Sequence, residues 1–166
     1  MIPEDLVLYD DEFQKIRQAL QRLLEDASAK LVFLVDKNGQ QIAAVGDMRS
    51  LDTTSLASLT AGNVAATDGL ARLIGEKEFS ILFHEGEGDN IHISIVARRV
   101  ILVVIFDERA SLGLVRLRVR RATAELETVF QEMARKVESQ KVSQEAKREG
   151  PFSEITDEDI DRLFSE

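Results

Sequence analysis

The sequence predicts a three-layer α-β-α sandwich built on a five-stranded, mostly antiparallel sheet. Apolar residues recur at helical spacing in three long stretches, and five short β-rich apolar segments are placed around them. Connections between consecutive strands are short except where the second helix intervenes, which favours antiparallel pairing in the order 2-1-5-4-3. Helix 2 should then cover one face of the sheet, and helices 1 and 3 the other.

The first helix and the first hairpin are predicted from consecutive stretches. In DDEFQKIRQALQRLLEDASAK, apolar residues repeat every three or four positions, which is typical of an amphipathic helix. The run from Leu31 to Val35 reads as a strand, and Ile42 to Val45 as a second, weaker strand. Asn38-Gly39 lies between them and is a strong turn signal, so an antiparallel hairpin is expected.

The second helix is predicted over LDTTSLASLTAGNVAATDGLARLIGE, with Asp52 as its N-cap and its end near Gly75. One broad face is assigned to the core: Leu56, Leu59, Asn63, Ala66, Leu70 and Leu73. The opposite side is smooth and almost uncharged: Ser58, Ala61, Gly62, Ala65, Gly69 and Arg72.

This smooth side is unusual for a helix that covers a sheet, because such a helix normally turns charged residues to water. Gly62 and Gly69 each lower helix propensity by ~1 kcal/mol relative to Ala, a cost that a solvated face has no reason to carry. This cost is reasonable on a face against which another molecule packs closely. We therefore predict a protein interface on this side, with burial inside the domain as the alternative.

Three strands and a long helix follow. The segment from Gly86 to Asn90 separates strands 3 and 4, and strand 5, Val100 to Phe106, is apolar throughout and therefore central. Strand 3 lies at an edge of the predicted sheet and could pair with its copy in a symmetric dimer. Helix 3 is predicted from Leu112 to Val137 by its sustained helical spacing.

The chain is divided into a folded domain over 1–137, a flexible linker over 138–150 and a C-terminal segment over 151–166. The linker assignment rests on its polar and charged composition. In GPFSEITDEDIDRLFSE, Thr156 is a candidate N-cap, and a short amphipathic helix should follow that folds against a partner surface. The candidate contact residues of this segment are Phe152, Ile155, Ile160, Leu163 and Phe164.

Composition excludes several classes of function. The formal charge is −9 and the pI about 4.8, which disfavours binding to nucleic acid. The chain has no cysteine, so disulfides and thiolate metal sites are excluded. No apolar run reaches the length of a membrane span, and the N-terminus does not resemble a signal peptide, so a cytoplasmic protein without membrane insertion is expected.

Few residues suggest catalysis, and no catalytic residue, metal site or cofactor is predicted. His84 and His92 could form a metal-binding pair, but the preferred interpretation is a structural role in strands because no third ligand is suitably spaced. Arg116, Arg118, Arg120 and Arg121 could be read as supplying an arginine finger. The preferred interpretation is that these arginines lie on the solvated face of helix 3, next to carboxylates of helix 1. Contact of some of them with an acidic partner is an alternative.

Four stretches carry a resemblance to a known family: LDTTSLASLTAGNVAAT, FHEG, VILVVIFD and SLGLVRLR. They resemble the roadblock (dynein light-chain-like) family, and within it the bacterial members that regulate a Ras-like GTPase. The similarity runs from about Leu6 through helix 3, and PFSEITDEDIDRLFSE is similar to the C-terminal segment of those members.

The resemblance implies a homodimer with a continuous sheet that binds one GTP-loaded GTPase and stimulates hydrolysis. The GTPase would supply its own catalytic Arg and Gln, while the dimer repositions its switch loops and inserts no finger. GTP and magnesium would belong to the partner. The family's main contact maps onto Ala61, Gly62, Ala65 and Gly69 of helix 2. The implied setting is front–rear polarity in motile bacteria, with enrichment at a cell pole.

The resemblance also implies that the C-terminal segment binds the GTPase away from the main interface and promotes its nucleotide-loaded state. Two other functions stay open from the sequence. A scaffold would bind and localise a GTPase without changing its rate, and a small-molecule sensor module would need a cavity lined with polar groups.

Overall fold

The computed structural model describes residues 10–148 and 157–165. Its helices are α1 (Asp10–Asp26), α2 (Thr53–Ile74), α3 (Leu112–Arg148) and α4 (Asp157–Leu163). Its strands are β1 (Leu31–Asp36), β2 (Gln41–Gly46), β3 (Ile81–His84), β4 (Asn90–Val96) and β5 (Val100–Phe106). The chain divides into two units between Phe130 and Gln131, inside α3.

The five strands form one sheet in the order β2-β1-β5-β4-β3, and every neighbouring pair is antiparallel. The predicted strand order is therefore confirmed. The β1–β2 turn lies at Asn38-Gly39, where the carboxylate of Asp36 accepts hydrogen bonds from the backbone N–H groups of Asn38 and Gln40. Gly39 has a φ of +89°, a left-handed conformation that glycine adopts without strain.

Both faces of the sheet are covered, because alternate residues of the central strands point to opposite sides and all are buried. On one face, α2 packs against a single cluster that includes Phe33 and Val103. On the other face, the strand residues that alternate with that cluster lie under α1 and the first part of α3. The buried residues of these two helices are Ile16, Ala19, Leu20, Leu23, Val115, Val119, Ala122 and Leu126.

The predicted core face of α2 is largely wrong: Leu56 packs against the core cluster as predicted, but the buried side is rotated by roughly a third of a turn from the predicted one. The buried residues of α2 are Ala57, Thr60, Ala61, Val64 and Ala71. Leu59, Leu70 and Leu73, for which the sequence predicts burial, are 73%, 60% and 84% exposed. A Cβ placed on Gly39 would lie 3.3 Å from the Cα of Ser58 and 3.6 Å from the Cβ of Ala61. The hairpin turn thus approaches α2 so closely that only small residues fit between them.

The structure also differs from the sequence expectation at 138–150, where composition predicts a flexible linker. Helix α3 continues to Arg148, so residues 138–148 are helical. The physical reason is local. This stretch is rich in Glu, Gln, Lys, Ala and Arg, which favour helices, and it contains no helix-breaking residue before Gly150 and Pro151. Lys147 and Arg148 occupy the last turn, where positive charge complements the helix dipole.

Candidate protein-interaction surface

Helix α2 begins and ends at well-defined caps, which fixes which of its residues reach solvent. The side chain of Asp52 accepts a hydrogen bond from the backbone N–H of Ser55 at 3.1 Å, and its second oxygen accepts from the Ser55 hydroxyl at 2.6 Å. These bonds lower the pKa of the Asp52 carboxyl. At the other end Gly75 adopts a φ of +80° and closes the helix as a left-handed C-cap.

The exposed side of α2 is apolar along its length. Its residues recur at steps of three and four, as in helix–helix interfaces. We call this set the α2 stripe: Leu59, Gly62, Ala66, Gly69, Leu70 and Leu73. Leucines stand at both ends, and small residues form the middle. A Cβ added to Gly62 or Gly69 would meet nothing within 4 Å, so the space above the middle of the stripe is open.

The α2 stripe lies near one open edge of the sheet. β3 is the outermost strand and pairs only with β4, so its outer edge has no strand neighbour in the described chain. Asn63 of α2 is joined to His84 of β3 by a hydrogen bond of 2.9 Å between Nδ2 and Nε2. Ile81 of β3 is half exposed. A helix face and a strand edge are therefore presented side by side, and each lacks a partner within the described residues.

The structure brings most of the predicted helix 2 contact residues to the surface. Ser58, Gly62, Ala65 and Arg72 are exposed, and Gly69 is partly exposed. Ala61 is not available, because only 9% of it is accessible and it belongs to the core cluster under α2. Its inclusion in the predicted surface was wrong, because the β1–β2 turn approaches α2 at this position and covers Ala61.

Sequence reasoning missed the three exposed leucines of the α2 stripe. The signal was present, since positions 59, 62, 66, 69 and 73 repeat at the alternating spacing of three and four. It was outweighed by the rule that large apolar residues are buried, which holds on average but not at interfaces.

The C-terminal contact residues are only partly described. Phe152 and Ile155 lie outside the described residues, as does the candidate N-cap Thr156, and the side chain of Ile160 is likewise outside them. Leu163 and Phe164 are 79% and 84% exposed, at the end of α4. Two adjacent large apolar side chains are thus open to a partner.

The two histidines lie on opposite faces of the sheet. His92 pairs with Phe83, and side chains of paired residues share a face, whereas His84 follows Phe83 along β3 and points to the other side. The two rings cannot share a metal ion. Among residues 10–148 and 157–165, no group of three potential metal ligands was found.

His92 is buried beside α3. It is 1% exposed, and neither ring nitrogen has a hydrogen-bond partner within the described chain. Burial lowers the pKa of His92, and the positive charge of Arg116 lowers it further. The interpretation of His84 as a hydrogen-bonded strand residue is confirmed, whereas His92 is buried without such a bond.

The arginines of α3 lie on the sheet face opposite α2. Arg121 pairs with Glu125 of the same helix at 3.6 Å, and Arg22 of α1 also contacts Glu125. Asp26 of α1 lines the same small cavity as Arg118 and Arg121, but the ion pair of Arg121 is with a carboxylate of α3 itself and not with one of helix 1 as predicted.

Comparison with known proteins places the chain in a family. Residues 15–106 match the family model of the Roadblock/LC7 domain, which is more than half of the chain. The chain belongs to the roadblock/LC7 family. The roadblock match ends at the last residue of β5 and so includes α2 and the whole sheet. No match to a curated protein was found.

Three solved structures are similar over most of this roadblock chain. Myxococcus xanthus MglB is 59% identical with a TM-score of 0.74, over 77% of this chain and 96% of that one. The gliding protein MglB from Thermus thermophilus is 32% identical with a TM-score of 0.72, over 79% and 99%. An MglB with a tetrameric arrangement is 31% identical with a TM-score of 0.74, over 80% and 99%. The chain is therefore a roadblock protein of the MglB type.

None of the helices in the described residues is both long and apolar enough to cross a bilayer.

Proposed function

We propose that the protein is a homodimeric GTPase-activating regulator of a Ras-like small GTPase of the MglA type. Two copies would bind one GTP-loaded GTPase and accelerate hydrolysis by repositioning the catalytic residues of the GTPase. The protein itself would need no cofactor, since GTP and magnesium belong to the partner. The cellular setting proposed is polarity and gliding motility in a bacterium, with enrichment at a cell pole.

The observation that carries this proposal is the α2 stripe beside the open β3 edge. An exposed apolar row with leucines at both ends is uncommon on a monomer surface and is typical of interaction sites. An unpaired strand edge can pair with a second copy around a twofold axis. Pairing of two β3 strands would bring two α2 helices together on the same side of the joined sheet, and the GTPase would bind across them.

The chemistry of α2 favours a partner that is recognised by shape. Arg72 is the only exposed charged side chain between Thr53 and Ile74. The helix therefore offers a close-packing platform on which a switch loop could be moved. The arginines of α3 lie on the other face of the sheet, which is consistent with a mechanism that inserts no arginine finger.

The similar proteins support the same proposal. The three similar structures described above are MglB proteins, one is described as a gliding protein, and one has a tetrameric arrangement. Self-association and a role in gliding are thus properties of proteins of the same type.

The activating function is tested by phosphate release from the GTP-loaded GTPase, with and without this protein. The test variant is Ala65→Arg with Gly69→Arg, which places two long cations on the outer side of α2. Neither position is buried. The expected result is a folded dimer that no longer accelerates hydrolysis. A matched control is Gly113→Arg with Ala124→Arg, the same two residue types on exposed positions of α3.

Two outcomes would contradict the proposal in different ways. Full stimulation by the Ala65→Arg, Gly69→Arg variant would show that the GTPase contact lies elsewhere. Binding of the wild-type protein to the GTPase without a change in rate would show a scaffold that localises its partner.

The C-terminal segment is proposed as a second contact with the same GTPase, one that promotes the nucleotide-loaded state. Exposed Leu163 and Phe164 support it, because a short helix gains stability by laying its apolar side into a groove. Deletion of 151–166 should weaken binding or nucleotide loading while the dimer persists. Unchanged binding and loading kinetics would assign the segment to another partner.

A further inference from the structure

Helices α1 and α3 leave a small cavity in the groove between them. Positions 19, 22, 23 and 26 of α1 line it, as do positions 118, 121, 122 and 125 of α3, so each helix contributes one face at steps of three and four. Both segments belong to the unit that ends at Phe130. The cavity has a volume of about 10 Å³, which is close to the smallest that admits one water molecule or an ion of similar size.

The floor of this cavity is apolar and its rim is charged. The floor residues Ala19, Leu23 and Ala122 are at most 4% exposed. Five charged side chains form the rim: Arg22, Asp26, Arg118, Arg121 and Glu125. Three arginines stand against two carboxylates there, so the lining carries a formal charge of +1.

One guanidinium group of the rim lacks an acceptor. Nη2 of Arg22 donates to one oxygen of Glu125, and Nε of Arg121 lies 3.6 Å from the other, so two arginines share this carboxylate. Nε of Arg118 is buried and has no hydrogen-bond partner among residues 10–148 and 157–165. A buried N–H without an acceptor is unfavourable, and more so on a charged group.

We propose that the cavity binds one small monovalent anion of the size of chloride, which accepts a hydrogen bond from Nε–H of Arg118. A guanidinium group offers donors only, so the group that completes the site is an acceptor, and a negative one neutralises the excess charge of the rim. The apolar floor lowers the local dielectric constant and strengthens this attraction.

Size and charge exclude other ligands. Sulfate and phosphate are too large for a volume of about 10 Å³, and a cation is opposed by the positive rim. A single water molecule is the competing occupant, because it could also accept the hydrogen bond of Arg118. Chloride and water differ in one measurable respect, since only chloride binding depends on the concentration of the anion.

This site goes beyond the proposed GTPase function and does not need it. Helices α1 and α3 cover the sheet face opposite α2, so the anion would not touch the α2 stripe. An anion that binds the folded chain and not the unfolded chain stabilises the fold increasingly as its concentration rises. Chloride would thus join α1 to α3 and stabilise the layer that these helices form on the sheet.

The test uses the full-length protein without the GTPase, with chloride itself as the probe. Thermal unfolding is recorded while sodium chloride replaces sodium gluconate at constant ionic strength, from none to about 300 mM chloride, so that general screening stays unchanged. Gluconate is too large for the cavity. We expect a saturable rise of at least about 2 °C in the melting temperature. The line width of the chlorine NMR signal measures chloride in exchange with the protein and should show the same saturation.

Two variants should move the affinity in opposite directions. Arg118→Gln removes the buried donor and the excess charge, so it should abolish both effects of chloride. Asp26→Asn changes an exposed residue of the rim and raises the charge of the lining from +1 to +2. It should bind chloride roughly threefold more tightly or better, the scale of one surface charge interaction.

The matched control is Arg120→Gln. It makes the same substitution as Arg118→Gln, at an exposed position of α3 that does not line the cavity. It should respond to chloride as the wild type does. Circular dichroism checks that each variant is folded. If Arg118→Gln does not fold, the comparison of Asp26→Asn and Arg120→Gln with the wild type decides the matter.

The outcomes are decisive in both directions. Tighter binding in Asp26→Asn, with loss in Arg118→Gln and a normal response in Arg120→Gln, supports the anion site. A wild type that does not respond to chloride, equal loss in the Arg120→Gln control, or unchanged affinity in Asp26→Asn would overturn it and leave water as the occupant. None of these results depends on whether the protein activates a GTPase, so the two proposals fail independently.

Discussion

Asn63 and His84 join the centre of α2 to the edge strand β3 through a hydrogen bond of 2.9 Å. The amide Nδ2 of Asn63 donates to Nε2 of the imidazole, in the tautomer that carries its hydrogen on Nδ1. The proposed GTPase contact, a helix face, and the proposed dimer contact, a strand edge, are thus fixed to each other within one copy. This arrangement explains why a polar residue is placed near the middle of an otherwise apolar and small-residue helix.

The Asn63–His84 bond can be measured by a double-mutant cycle. Asn63→Ala and His84→Ala should each lower the free energy of unfolding, and the double variant should lose less than the sum. We expect a coupling energy of ~0.5–1 kcal/mol, because the bond is exposed and competes with water. Urea unfolding of the four proteins gives this value. Strict additivity would mean that the bond contributes nothing in solution.

Stability should fall with decreasing pH because of His92. Burial and the charge of Arg116 hold the pKa of His92 below its ordinary value of 6.5. As the pH falls through about 6.5, the unfolded chain takes up a proton that the folded chain does not bind. The free energy of unfolding therefore decreases until the pH reaches the pKa of the folded state.

The variant His92→Leu should lose this part of the pH dependence, since it has no proton to bind. Arg116→Ala should reduce it only in part, because burial is the larger cause. The measurement is urea unfolding between about pH 5 and 8, with the slope against pH compared between proteins. A slope in His92→Leu equal to that of the wild type would show that other groups cause the dependence.

Two glycines should respond oppositely to alanine. Gly46 has a φ of +110°, and a Cβ there would collide with the carbonyl oxygen of Lys30 and lie 3.0 Å from the Cα of Leu31. Gly46→Ala should therefore lower the free energy of unfolding by more than about 1 kcal/mol. At Gly62 a Cβ meets nothing within 4 Å, so Gly62→Ala should raise it by up to ~1 kcal/mol through helix propensity.

Thermal or urea unfolding of both variants checks this pair. A loss of stability in Gly62→Ala, measured where the protein is dimeric, would indicate that a second copy packs against that position. A neutral result for Gly46→Ala would contradict the close approach of the β2 end to Lys30.

The leucines of the α2 stripe should matter for association more than for folding. Leu59→Ser with Leu73→Ser removes two side chains that are 73% and 84% exposed, so the stability of one copy should change by less than about 1 kcal/mol. Burial of a leucine against the GTPase contributes ~1.5–3 kcal/mol, so the dissociation constant of the complex with the GTPase should rise by roughly tenfold or more.

Titration of the fluorescently labelled, GTP-loaded GTPase with each protein measures this change. Val142→Ser is the control, because Val142 is 59% exposed on α3 and lies outside the α2 stripe. Equal affinity of the Leu59, Leu73 variant and the wild type for the GTPase would remove the α2 stripe from the GTPase contact.

The sequence by itself determined the element order, the strand order and the caps. Helical and strand periodicities are local, and Asn38-Gly39, Asp52 and Gly75 act within a few residues of their positions. The helix over 138–148 was predictable from the same local propensities, and was missed because composition was preferred to helix-forming tendency. The family was also readable, since the α2 and β5 stretches are specific.

Only the tertiary structure decided which side of α2 faces the sheet. Periodicity allows two sides here, one with large leucines and one with Ala57, Ala61, Val64 and Ala71. The β1–β2 turn approaches the helix closely at Gly39, so a leucine would not fit there and the small residues are buried. The leucines consequently face solvent. That distance depends on how the hairpin and the helix pack together, which no local pattern in the sequence records.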